Sequence, residues 1–148
     1  MLQIVKDSDT RPWFFLQTAH TTYGIRVMET GHLEHLYYGE RITVDAQDSA
    51  FCAPLVIQRG FAPGNTCTYD REHPQISMED ICSEVSTLGK GDIREPFLEV
   101  RFADGSVTSD FTFDSYEVIT LKEREQCLQA SGLPHSYSEA ETDSAECL

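Results

Sequence analysis

The chain has 148 residues, is 40% hydrophobic and 24% charged, and carries 25 acids against 11 Lys and Arg, a formal net charge of −14. The length fits one domain or part of a larger one, and the apolar content excludes a chain that is disordered throughout. The charge excludes binding to nucleic acid and docking on an anionic membrane, which both need clustered Lys and Arg.

The start, Met1 to Thr10, lacks the basic cluster and apolar stretch of a secretory signal. No apolar run approaches the roughly 18 residues of a membrane span. The five cysteines (Cys52, Cys67, Cys82, Cys127 and Cys147) are odd in number and widely spaced. Together these features predict a reduced, cytoplasmic protein rather than a disulfide framework.

Period-2 patterning dominates, which predicts strands. Trp13-Phe14-Phe15-Leu16 is an apolar run of strand length. From Thr22 to Met28, alternation places Tyr23, Ile25 and Val27 on one face, with Thr22 and Arg26 on the other. Glu29-Thr30-Gly31 reads as a turn, and Leu33 to Tyr38 as a strand closed by Gly39. Thr18 to Tyr38 is therefore expected to be a β-meander. Thr43 to Gln75, with Pro54, Pro63 and Pro74, is irregular, and is either functional or carries short edge strands.

Phe97 to Phe113 holds two alternating runs around Asp104-Gly105, a preferred two-residue hairpin turn. That turn sets Phe102 opposite Val107, Val100 opposite Ser109 and Leu98 opposite Phe111. It also sets Glu99 against Asp110, an unfavourable like-charge pair. After Phe113 the apolar parity switches to Tyr116 and Val118, which predicts a bulge near Asp114-Ser115. Leu121 to Ala130 is either a short helix or a strand ending in a charged loop. Ser136 to Leu148 carries acids and no base, as a disordered tail or a truncated continuation would. The expected class is an all-β antiparallel sandwich, with residues 1–135 in the domain and 136–148 as acidic tail.

Chemical motifs are sparse. No Cys pair has a C-x₂₋₄-C spacing, and His32 and His35 would lie on opposite faces of a strand, so no metal site is expected. Gly89-Lys90-Gly91-Asp92 lacks the helix and Lys-Ser/Thr ending of a phosphate loop. No Ser or Cys has the setting of a nucleophile. No catalytic residue and no cofactor are expected.

Several stretches, in order, resemble the N-terminal domain of bacterial α-galactosidases of glycoside hydrolase family thirty-six. They are Thr22-Tyr23, Gly31-His32-Leu33-Glu34-His35-Leu36-Tyr37-Tyr38-Gly39, Phe61-Ala62-Pro63, and Ser77-Met78-Glu79 with Glu84. Gly91-Asp92-Ile93-Arg94-Glu95-Pro96, Asp104-Gly105-Ser106, Asp110, Tyr116, Gly132-Leu133-Pro134 with Tyr137, and Glu139-Ala140-Glu141 continue the series. The resemblance implies a large supersandwich that precedes a (β/α)₈ catalytic barrel, and an incomplete one here.

In the family the barrel supplies both catalytic aspartates, and neither of their motifs occurs in this chain. The resemblance thus implies the non-catalytic front of a retaining α-galactosidase acting on substrates such as melibiose and raffinose. This part would support the barrel, the assembly of neighbouring subunits and the entrance to the active site. It also implies that the loop from Gln58 to Arg71 approaches substrate, with Gln58 standing where the family often has Asp, and Arg71 matching a loop Arg. Glu79, Glu84, Asp92 and Arg94 are expected to be structural or interface residues. An alternative from another class is a stand-alone carbohydrate-binding sandwich, which would need an exposed aromatic such as Tyr37 or Tyr38.

Overall fold

The computed structural model describes residues 1–6, 11–46, 49–56, 68–89 and 95–119. The fold is all-β. Four strands, β1 (Leu2–Lys6), β2 (Pro12–Gln17), β3 (Thr21–Val27) and β4 (Leu33–Glu40), form one antiparallel sheet in chain order. The expected meander is thus present, and β1 adds a strand in front of it. The turn at Glu29-Thr30-Gly31 is closed by Gly31 N donating to Met28 O at 2.9 Å, with Gly31 at φ 83°. That left-handed backbone suits glycine.

β2 is apolar on both sides because both faces of the sheet are covered there. On one face Val5, Trp13 and Phe15 pack with Val44 and Cys52, backed by Phe51, Leu55 and Val56 of the short 3₁₀ segment Ser49–Leu55 and its end. On the other, Phe14 meets the rings of Phe113 and Tyr116 at 6.1 and 5.2 Å. Both rings turn to one side, which fits the parity switch expected after Phe113. Phe15 sits opposite Gly24 across β2 and β3, where an added Cβ would lie 3.1 Å from the Phe15 ring. Glycine there leaves room for the aromatic.

The alternation of β3 falls as expected, but its polar side is buried. Thr22 and Gln17 face each other in register, and Gln17 Nε2 donates to Thr22 Oγ1 at 3.1 Å and to Ile42 O at 2.7 Å. Further along the same face, Trp13, Arg26 and Glu34 line up across three strands. Arg26 Nη2 lies 2.7 Å from Glu34 Oε2, and the guanidinium carbon sits 5.4 Å from the Trp13 ring centre. The Glu34 side chain is only 2% exposed. A register shift at Gly24/Ile25 leaves Leu36 as the extra residue of β4. As a result Tyr38 points out, 70% exposed, while Tyr37 bends over Gly39 and donates to Glu40 O at 2.9 Å.

The region from Phe97 to Phe113 departs from the expected hairpin. Its loop has three residues, not two: Phe102 N donates to Ser106 O and Gly105 N to Phe102 O, with Gly105 at φ 86°. Asp104 accepts from Ser106 N and Ser106 Oγ, which holds its carboxyl below the usual value. Beyond this tip the arms turn to a third segment. Leu98 N donates to Ser86 O and Ser109 N to Leu88 O, both at 3.1 Å. Ser109 therefore does not pair with Val100, and Asp110 leaves Glu99 for partners described below. The expected features at Asp92 to Arg94, at Leu121 to Ala130 and in the 136–148 tail lie outside the described residues.

Candidate functional site

The end of the segment predicted to approach substrate meets a tight turn, Tyr69 to His73. Tyr69 N donates to Ile76 O at 2.8 Å, and Ile76 N to His73 O at 3.0 Å. Asp70 Oδ1 accepts from the amides of Glu72 and His73 at 2.8 and 2.7 Å, an Asx-type cap that curls the chain. The His73 ring closes the turn through Nδ1, 2.9 Å from Asp70 Oδ1. At the apex Arg71 is exposed, and its guanidinium pairs with no carboxylate among the described residues.

The turn is tied to the sheet. Tyr69 Oη donates to Asp110 Oδ2 at 2.9 Å, and Asp110 Oδ1 lies 2.8 Å from His32 Nε2. His32 is buried and its Nδ1 lies 2.8 Å from Thr30 Oγ1. Since the carboxylate only accepts, Nε2 carries the proton on that side. Burial and then the Asp110 carboxylate push the Tyr69 hydroxyl up to about 12, so it stays a donor at neutral pH.

Protonation sets how firmly the turn closes. The Asp70 hydrogen bond and charge raise the His73 pKa above its ordinary 6.5, against partial desolvation. Desolvation pushes the Asp70 carboxyl up, but hydrogen bonds from the His73 ring and from the His73 and Glu72 amides outweigh it, leaving it below 3.8. The His73 contribution is complete below pH 6.5 and is lost as pH rises through its raised value. The Asp70 contribution is present above pH 3.8 and is lost as pH falls through its lowered value. The expected NMR titration of His73 therefore has its midpoint above 6.5, and Asp70→Asn moves it down. A His73 midpoint unmoved by Asp70→Asn would contradict the pairing.

A second cluster lies on β3 and β4. Tyr23 Oη sits 2.8 and 2.7 Å from the two Glu84 oxygens, and His35 Nδ1 lies 3.2 Å from Oε1. Burial first, then Glu84, push the Tyr23 hydroxyl up to about 12, so it too remains a donor. Glu84 is delivered by a short segment along the edge of β4, where His35 N donates to Cys82 O and Glu84 N to Leu33 O. Tyr38 meets the Tyr23 ring edge-on at 6.0 Å.

Of the residues singled out from sequence, Arg71 stands exposed on the anchored turn, and Glu84 ties β3 to β4. Glu79 falls in the 3₁₀ turn Met78–Asp80. Gln58, Asp92 and Arg94 lie outside the described residues. His32, Tyr69 and Asp110 were not foreseen as partners: they stand 78 and 41 residues apart along the chain, and no local spacing joins them. No group of three or more His, Cys, Asp or Glu among the described residues could hold a metal ion. No helix among them is long and apolar enough to cross a membrane.

An antiparallel sheet covered on both faces defines an all-β domain in class. The family model described as "Glycosyl hydrolase family 36 N-terminal domain" matches residues 31–148, and the chain belongs to that family. It is 38% identical over 119 residues to the bifunctional alpha-galactosidase/sucrose kinase AgaSK of Mediterraneibacter gnavus, covering 79% of this chain and 12% of that protein. It is 27% identical over 135 residues to alpha-galactosidase AgaA of Geobacillus stearothermophilus, covering 91% of this chain and 17% of that one. Among solved structures, the alpha-galactosidase from Lactobacillus brevis superposes with a TM-score of 0.63 at 31% identity, over 78% of this chain and 14% of that one. The chain thus spans less than a fifth of the length of these relatives.

Proposed function

We propose that this chain is the non-catalytic N-terminal part of an α-galactosidase that hydrolyses terminal α-galactosides with retention, in a cytoplasmic setting. The observation that carries the reading is the family match over residues 31–148, together with the likeness to alpha-galactosidases of which this chain spans less than a fifth. In this reading residues 1–135 belong to the sandwich and 136–148 lead onward. Both catalytic aspartates belong to a (β/α)₈ barrel outside the chain, at the separation retention requires.

The domain's part is to support that barrel, to help subunits assemble and to wall the entrance to the site with the Gln58–Arg71 loop. Two features support this. Arg71 is held out on a turn pinned at both ends, which presents a fork of donors to sugar hydroxyls at low entropic cost. Phe97, Phe102 and Phe111 are 78%, 45% and 47% exposed, the kind of aromatic surface that further polypeptide covers.

The purified chain is expected to release no nitrophenol from an aryl α-galactoside. In the assembled enzyme, Arg71→Ala should raise KM by about tenfold with kcat little changed, since it removes ground-state and transition-state binding alike. Turnover by the chain alone would overturn the reading, and an unchanged KM would remove Arg71 from it.

A second reading, a stand-alone carbohydrate-binding module, is favoured by Tyr38, 70% exposed beside the Tyr23–His35–Glu84 cluster. An aromatic face with a neighbouring carboxylate suits a sugar ring. Calorimetry with galactose and melibiose decides it: heat that vanishes in Tyr38→Ala supports the module, and none at millimolar sugar rejects it.

A further inference from the structure

We propose that Thr30, His32, Asp110 and Tyr69 form a positioning relay that sets the turn carrying Arg71, so that the β3–β4 connection governs where that guanidinium stands. The proposal rests on the reading of Arg71 as a substrate-loop residue. Three links cross three segments far apart in sequence: Thr30 Oγ1 to His32 Nδ1 at 2.8 Å, His32 Nε2 to Asp110 Oδ1 at 2.8 Å, and Tyr69 Oη to Asp110 Oδ2 at 2.9 Å. His32 is 3% exposed, so water does not compete well for its ring.

Two further contacts restrain the same three segments. The His32 and Tyr69 rings meet edge to face at 5.0 Å. Phe113 N donates to Gly31 O at 2.7 Å, which fixes the Asp110 segment to the same turn as Thr30 and His32. Asp110 thus bridges the sheet and the loop: one oxygen reads the imidazole, the other receives the phenol. The imidazole is oriented by Thr30, as a ligand histidine is oriented by the partner of its second nitrogen. Tyr69 stands two residues before Arg71. A shift of its ring is therefore passed to the apex by a turn too short and too bonded to absorb it.

Hydrogen exchange on the whole chain tests the relay. Tyr69→Phe, which removes one hydroxyl, should speed exchange of the His73 and Ile76 amides by about tenfold, the scale of a lost hydrogen bond to a charged group. Thr30→Val should do the same from the far end, while Thr30→Ser, which keeps the hydroxyl, should not. The β2 and β3 amides should exchange at wild-type rates in all three. In Thr30→Val/Tyr69→Phe the turn should exchange no faster than in Tyr69→Phe alone, because the path is already cut.

Three results would overturn the relay: a turn unmoved by Thr30→Val, effects that multiply in the double variant, or Thr30→Val speeding β2 and β3 equally. The last would make His32 a support of the sheet rather than of the turn. All of this is read on the chain alone. The relay can therefore fail while the KM effect of Arg71→Ala in the assembled enzyme stands, and the reverse also holds.

Discussion

Arg26→Ala is expected to destabilise the domain by about 3–5 kcal/mol, the cost of removing one partner of a buried ion pair. The carboxylate that would lose the Arg26 guanidinium belongs to Glu34, whose side chain is 2% exposed on β4, the last strand of the sheet. Arg26 also lies against Trp13, so its loss removes packing as well as charge. The pair is not needed for stability as such, because desolvating two charges offsets much of their attraction. Arg26→Met/Glu34→Leu, which fills the space with apolar atoms, should recover most of the loss. Trp13 is the only tryptophan, so urea unfolding followed by its fluorescence reports directly on this site. A loss under about 1 kcal/mol for Arg26→Ala would mean that water reaches Glu34 and that the pair is only a surface one.

The second large effect is at Phe15. It is fully buried, packs on Phe51 at 5.5 Å between ring centres, and lies in the cluster with Val5, Trp13, Val44 and Cys52. Phe15→Ala should cost about 3–5 kcal/mol, the transfer term plus an unfilled cavity. Gly24 opposite offers no side chain to fill the space. Tyr38→Ala, on an exposed ring in the same sheet, should change stability by no more than about 0.5 kcal/mol. Equal losses for the two would contradict the described core.

The strands β2 to β4 were legible because their signals are local. Trp13 to Leu16 is too apolar for a loop, Tyr23 to Val27 alternates, and Gly31 marks the turn; Gly39, expected to close the last strand, instead pairs with Thr22 inside β4, which runs on to Glu40. β1 carries only five residues and was not foreseen, although the Asp7-Ser8-Asp9-Thr10 cluster that follows it in sequence is a turn signal. The hairpin tip shows the limit of turn preferences. Asp104-Gly105 suits both a two-residue turn and a three-residue loop with glycine in the left-handed position. Asp104 hydrogen-bonding to Ser106 accompanies the latter, and one residue of slip re-pairs every side chain below.

What the arms of that hairpin bond to, Ser86 to Leu88, is a tertiary choice with no trace in their own alternation. The same holds for burial. Parity put Arg26 and Thr22 on one face, but only the packed 3₁₀ segment and Ile42 make that face an interior. The site was half legible. Family motifs carried Arg71, Glu84, His32 and Asp110 as positions. That Glu84 joins Tyr23 to His35, and that Asp110 joins His32 to Tyr69, needs the chain folded.

Whether this domain serves an α-galactosidase barrel and holds no chemistry itself is decided by reading the coding DNA past the codon for Leu148. An open frame is expected to run on through the rest of the sandwich into a barrel, with a Lys-Trp-Asp segment and a Gly-rich, Arg-containing stretch. A stop codon with no barrel encoded nearby would contradict it, and the protein's role would then have to rest on binding by the domain alone.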